Sequence, residues 1–226
     1  MNKTCIINYA SGSWYPRGQD RLVKSLCDVG NGDIPCFAWK NHEELGCPPH
    51  VEVPYAFKPY ALEHARNMGY ELALWCDASV WAVKNIQPVF DYLSEHSHLF
   101  FYNANIGRFT SDACLQGFNL SRDEAMNMNM LMGICMGFNL TAPVTQEFLR
   151  QWLEKSKDGF SFPGTWNNVE QQVSTDPRCV GHRHDQSVAS IIAHNLKMKL
   201  VVDSETCFTY YIPKMPDCVV LTAQGM

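Results

Sequence analysis

Two acidic residues stand where α/β proteins present their ligand-binding groups. In Leu72-Ala73-Leu74-Trp75-Cys76-Asp77-Ala78-Ser79 an unbroken apolar run delivers the carboxylate of Asp77 to the point where the run turns polar. Open α/β sheets bind ligands at that carboxyl end of the strand. Asp185, in His184-Asp185-Gln186-Ser187, stands at the mouth of a second, helix-like apolar stretch, and Lys58-Pro59 lies about one helix ahead of the Asp77 run. Acids so placed can hold a cation beside a phosphate or do acid–base work. Taken singly, Asp77 is equally a turn or capping acid, and Asp185 equally an acid at a helix start. Their combination is what points to a polar site built on a scaffold.

The elements that must position these groups follow from hydrophobic periodicity. Lys3 to Tyr9 reads as a buried first strand, 10–16 as a loop, and a helix follows to about Asp28 with Leu22, Val23 and Leu26 on its inner face. A second strand runs from Pro35 to Trp39, and two prolines keep Cys47-Pro48-Pro49-His50 out of regular structure. Pro59 opens a helix with Leu62, Ala65 and Met68 inward, ending at Gly69; Leu72 to Cys76 is the central strand. A short helix over Ile86 to Leu93 and a strand over Leu99 to Tyr102 come next, and Asn103 to Asn119 lacks periodicity and reads as loop. Met126, Met128, Met130 and Met132 alternate as a strand with a methionine face, followed by strand-like Gly133 to Leu140. Pro143 opens a helix with Phe148, Leu149, Trp152 and Leu153 inward, 160–176 is loop, and Ser187 to Leu196 is helical. Lys199 to Val202 gives a last strand before an irregular tail. Strands alternating with helices imply a mostly parallel, layered α/β sheet flanked by helices.

The chain has 226 residues, 46% hydrophobic and 18% charged, enough for a single domain with a large core. A net charge of −5 argues against bulk nucleic-acid binding, which needs a basic surface. No apolar run is long enough to span a bilayer, and no secretory signal is visible, so the expected location is the cytoplasm of a bacterial or virus-infected host cell. The ten cysteines are scattered through apolar runs, which suits buried, reduced thiols. No Walker loop, dinucleotide fingerprint or nucleophile elbow is present. Cys179, His182, His184 and Asp185 match no common structural zinc spacing.

Several segments together resemble nucleotide-sugar-dependent glycosyltransferases of the GT-A fold, of the glycogenin and lipopolysaccharide galactosyltransferase type. Asn8 to Gly18 looks like their first strand and base-binding loop, and Lys58-Pro59-Tyr60 like the basic segment before the metal strand. Leu74 to Ser79 occupies the place of the aspartate-x-aspartate motif, and His184 to Ser187 resembles the late Asp-Gln segment beside the donor sugar. The resemblance spans roughly residues 3 to 203 and implies one glycosyltransferase-like domain over 1–226, with a donor-binding part to about 105 and an acceptor-side part beyond it.

The implied activity is transfer of a hexose or pentose from a nucleoside diphosphate sugar, UDP-sugars being favoured, to a saccharide, lipid-linked or modified-nucleobase acceptor. A non-catalytic nucleotide-sugar binding module and a nucleotidyltransferase are the alternatives. Such transfer builds negative charge on the leaving phosphate and positive charge on the sugar ring, so a cation is needed near the first and a carboxylate near the second. Asp77 and Asp185 are the catalytic candidates. Donor binding is expected from Tyr9, Ala10, Ser11 and Tyr15 on the first loop, from Arg21 and Lys58, and from Asp77, Ser79 and Gln186. A divalent cation, Mn²⁺ or Mg²⁺, would lie on Asp77, Ser79 and His184. Ser79 stands where the family usually has its second aspartate, and the family's late metal histidine has no counterpart after Lys199. Lys58 or Arg21 is therefore the other candidate for neutralising the diphosphate.

Overall fold

The computed structural model describes residues 2–201 and 207–224. Strand β1 (Thr4–Tyr9) leads into helix α1 (Tyr15–Asp28), strand β2 (Cys36–Trp39) and helix α2 (Phe57–Asn67). Strand β3 (Leu72–Cys76) turns into the short β4 (Val80–Ala82), followed by α3 (Gln87–Glu95) and β5 (His98–Asn105). Two small helices, α4 (Asp112–Gly117) and α5 (Arg122–Ala125), precede the long β6 (Asn129–Asn139). Helices α6 (Pro143–Lys155) and α7 (His184–Asn195) follow, and β7 (Phe208–Tyr210) and β8 (Leu221–Ala223) close the order.

The main sheet has the order β2-β1-β3-β6-β5. β1 pairs in parallel with β2 and β3, whereas β6 runs antiparallel to both β3 and β5. Four of its five strands thus share one direction, and β6, from the second half of the chain, lies between two strands of the first. β3 is central and all five of its residues are buried, which is why it reads as a continuous apolar run rather than an alternating one. Its side chains divide by pleat: Ala73 and Trp75 enter the core beneath α2, α6 and α7, while Leu72, Leu74 and Cys76 enter the core on the α1 and α3 side. α7 is buried nearly all round, from His184 to Ala193.

Several sequence expectations need correction. Val23 and Met68 are exposed, because α1 and α2 turn narrower stripes toward the sheet than the periodicity suggested. The stretch 103–119 is not one loop: it holds the end of β5, a 3₁₀ turn and α4, each too short to show a period. The methionine stripe is not one face, since β6 begins at Asn129, Met130 and Met132 enter opposite cores, and the β5/β6 register shifts twice. The last helix starts at His184, a turn earlier than Ser187. Val201 makes a single parallel bridge with Phe101, and Val202 lies outside the described residues. The tail is not wholly irregular: β8 pairs antiparallel with β4 and parallel with β7 in a second, three-stranded sheet.

Candidate active site

The carboxyl ends of β1 and β3 open onto a cavity of about 280 Å³. The loop after β1 supplies Tyr9, Ala10, Ser11 and Tyr15, and the turn after β3 supplies Asp77, Ala78 and Ser79. The third wall, His50, Tyr55 and Phe57, was not foreseen. It comes from the proline-bearing segment before α2 and from Phe57, the first residue of that helix, and these rings gain their meaning only through packing. Tyr9 stacks on Phe57 at 4.1 Å, and Phe57 lies 5.9 Å from Trp75 and 6.0 Å from His50.

Beneath this cavity lies an acid–lysine–acid cluster. Lys58, in the first turn of α2, is 3% exposed, and its Nζ donates to the Gly133 carbonyl at 2.8 Å. The same Nζ lies 3.3 Å from Asp77 Oδ1 and 3.1 Å from Asp185 Oδ2. Asp77 is fixed further by Trp75, two residues earlier, whose Nε1 donates to Oδ1 at 2.6 Å, and by its own N–H on Ile134 O. The contact of Asp185 with Lys58 is an ion pair without hydrogen-bond alignment, so its buried Oδ2 lacks an aligned donor. Burial works to lower the Lys58 pKa, and the charges of Asp185 and Asp77 outweigh it and push it up. Asp185 does not fall in return. Burial raises it to about 6, with Asp77 adding to the rise against the opposing pull of Lys58. One lysine between two carboxylates cannot hold both at ordinary strength, and the more buried acid carries the deficit.

The neighbouring rings are set in definite states. The Tyr55 N–H donates to His50 Nδ1 at 3.1 Å, so the His50 proton is on Nε2. Burial first, then Lys58, lowers its pKa and keeps it neutral. Burial raises the Tyr55 phenol to about 12 despite the charge of Lys58, leaving it a donor. His184 gives its Nδ1 proton to Phe162 O at 2.9 Å, which leaves Nε2 with a lone pair. Burial lowers the His184 pKa, with the Phe162 bond opposing and His50 and Arg183 adding. His182 is spent on structure: it accepts from Ser111 N and donates to Ser161 O, and burial followed by His184 drops it to about 3. Tyr55 and His184 both sit in the left-handed region, at φ 61° and 48°, and their rings are 5.5 Å apart. Such backbone strain gathers at functional sites.

Of the expected residues, Tyr9, Ala10, Ser11, Tyr15, Asp77 and Ser79 meet at the cavity, and Lys58 and Asp185 meet Asp77 below it. Arg21 stays outside: it donates to the Ser79 carbonyl at 2.9 Å and stacks on Trp81 at 4.2 Å, bracing the turn after β3. Gln186 donates to Leu131 O at 2.8 Å, packs against Gly133 and does not line the cavity. Asp77, Ser79 and His184, the candidates for a divalent cation, keep other contacts in this structure. Asp77 Oδ1 already takes Trp75 and Lys58, the Ser79 carbonyl takes Arg21, and among the described residues no three His, Cys, Asp or Glu side chains converge on one point. Lys58 places a fixed positive charge beside both acids.

Solved structures share this fold. The chain is similar to mouse xyloside xylosyltransferase 1 (8% identity, TM-score 0.52, covering 98% of this chain and 97% of that one). It is also similar to a glycosyltransferase involved in glycosylation of the major capsid of PBCV-1 (12%, 0.55, 97% and 93%). The bifunctional glycosyltransferase WbbM matches over 98% of this chain but 45% of its own length (9%, 0.55). No family model and no curated protein matches the sequence. Among the described residues no helix is long and apolar enough to cross a membrane.

Proposed function

We propose that the chain transfers a sugar from a nucleoside diphosphate sugar, a UDP-sugar by preference, to a hydroxyl acceptor. The observation that carries this reading is the meeting of Asp77, Lys58 and Asp185 under an aromatic-walled cavity at the carboxyl ends of β1 and β3, in a fold shared with glycosyltransferases. Tyr9, Tyr15 and Phe57 offer faces for a base, and the His50 Nε2 proton and the Tyr55 hydroxyl are donors for base or phosphate oxygens. Lys58 offsets charge at the floor, where low dielectric strengthens its effect. Asp185 orients the sugar or stabilises positive charge on its ring, and Asp77 helps position the diphosphate side.

Melting temperatures with UDP, GDP and their sugars, together with slow hydrolysis of the sugar donors, test this directly. A ligand at a hundredfold its Kd stabilises the native state by about 2.7 kcal/mol. Asp77→Asn should weaken both donor binding and turnover. Asp185→Asn should spare nucleotide binding and lower turnover about a hundredfold or more. Absence of stabilisation by every nucleotide, with no hydrolysis of any sugar donor, refutes the reading. Stabilisation without hydrolysis or transfer would instead leave a binding module.

A further inference from the structure

The loop between α6 and α7 presents one large aromatic face next to the site. Trp166 is 50% exposed, yet it is not loose. The Arg183 guanidinium lies 4.0 Å from the centre of its ring and 4.6 Å from that of Phe109, so arginine is sandwiched between the two. Arg183 also donates to the Trp166 carbonyl. On either side, His182 N–H holds Thr165 O at 2.9 Å and Asn168 N–H holds Val180 O at 2.8 Å. The space behind is closed as well: a Cβ on Gly181 would fall 1.9 Å from Trp166 O. An indole so fixed by a stacked cation has already lost the freedom that binding would otherwise remove.

A series of ring contacts leads from this indole to Lys58. Its ring centre is 6.1 Å from that of His184, His184 is 5.5 Å from Tyr55, and the Tyr55 ring is 5.4 Å from Lys58 Nζ. His184 Nε2, with its lone pair, has no hydrogen-bond partner among the described residues. A half-exposed indole therefore lies 6.1 Å, centre to centre, from a buried imidazole whose Nε2 is an acceptor. The residues flanking the indole, Thr165 and Asn167, are polar and exposed. A sugar ring matches this pattern: its C–H face stacks on an aromatic ring while its edge hydroxyls donate to and accept from polar groups.

Resting on the transferase reading above, we propose that Trp166 is the platform of the acceptor subsite and that the acceptor is a carbohydrate. Its terminal sugar stacks on the exposed part of the indole and donates a hydroxyl to His184 Nε2. Sugar class is thereby selected by ring-face shape, and a bare acyl chain or peptide is not held in register.

The full chain labelled with 5-fluorotryptophan and saturated with UDP tests this by ¹⁹F NMR, the Trp166 line being assigned by its loss in Trp166→Phe. Methyl glycosides of xylose, glucose, galactose and mannose are titrated in turn, with decanoate and a tripeptide as the other probes. At least one glycoside should move the Trp166 line saturably, and decanoate and tripeptide should not. By saturation transfer on that glycoside, Trp166→Ala should weaken binding by about tenfold and Trp166→Phe by less, in line with an aromatic contact. No glycoside-induced shift, a shift with decanoate or tripeptide alone, or an unchanged affinity in a folded Trp166→Ala overturns the proposal. Stabilisation by UDP, read separately by melting, shows whether the donor reading stands or falls on its own.

Discussion

Replacing Lys58 by methionine keeps the length and volume of the side chain but leaves Asp77 and Asp185 facing one another without their cation. Lys58 and Asp185 are both almost fully buried, with side chains 3% and 4% exposed, and breaking such a pair on one side costs about 3–5 kcal/mol. For a chain of this size each kcal/mol moves the melting temperature about 2–4 °C, so a fall of roughly 6–20 °C is expected at pH 8. The pH dependence is the more specific signature. Asp185 has its pKa raised in the folded state to about 6, against about 3.9 for a free aspartate. The stability it contributes by taking up a proton is therefore fully present below about pH 4 and is lost as pH rises through about 6. At about 1.36 kcal/mol per pH unit the loss is on the order of 3 kcal/mol. Without Lys58 the folded pKa rises further, and the window extends upward. Lys58→Met should thus be much closer to wild type at pH 5 than at pH 8, and adding Asp185→Asn should recover most of the loss. Thermal melts by near-ultraviolet circular dichroism at the two pH values measure both effects. A deficit under 1 kcal/mol that is the same at pH 5 and pH 8 would refute the buried cluster.

Two further outcomes follow from the same charges. If Lys58 supplies the positive charge at the diphosphate, stabilisation by UDP should persist in EDTA; its abolition by EDTA and return with Mn²⁺ would show that a metal is required. Donor hydrolysis should rise with pH through about 6 as Asp185 loses its proton, and a rate profile whose rising limb is unchanged in Asp185→Asn would show that another group titrates.

How much could be read in advance depended on how local each cause was. β3 and the position of Asp77 were legible because a strand buried on both faces must be apolar throughout, and its end is marked by the first polar residue. Asp185 was legible as a helix-start acid. That Lys58 lies under both was not, since a lysine in the first turn of α2 looks like any solvated charge until Gly133 and the two acids close around it. Nor could Arg21 be seen turning from the cavity toward the Ser79 carbonyl. His50, Tyr55 and Phe57 were passed over because an irregular segment has no period, although three rings within eight residues just before Lys58 were a signal. The second sheet escaped for the same reason: strands of three residues leave no alternation to detect.

That second sheet has a consequence for synthesis. The turn carrying Asp77 and Ser79 continues into β4, and the partner of β4 is β8, at Leu221–Ala223. Gln224 N–H also reaches the Ser79 carbonyl at 3.4 Å. At a translation rate of about 5–20 residues per second, roughly 7–28 s separate the appearance of β4 from that of β8. During that interval Val80 and Ala82 present an unpaired apolar edge beside the half-made cavity, the kind of edge other chains can pair with. The site is therefore finished by one of the last described segments to leave the ribosome. A nascent chain stalled before β8 would carry both acids while the strand that follows Asp77 and Ser79 still lacked its partner.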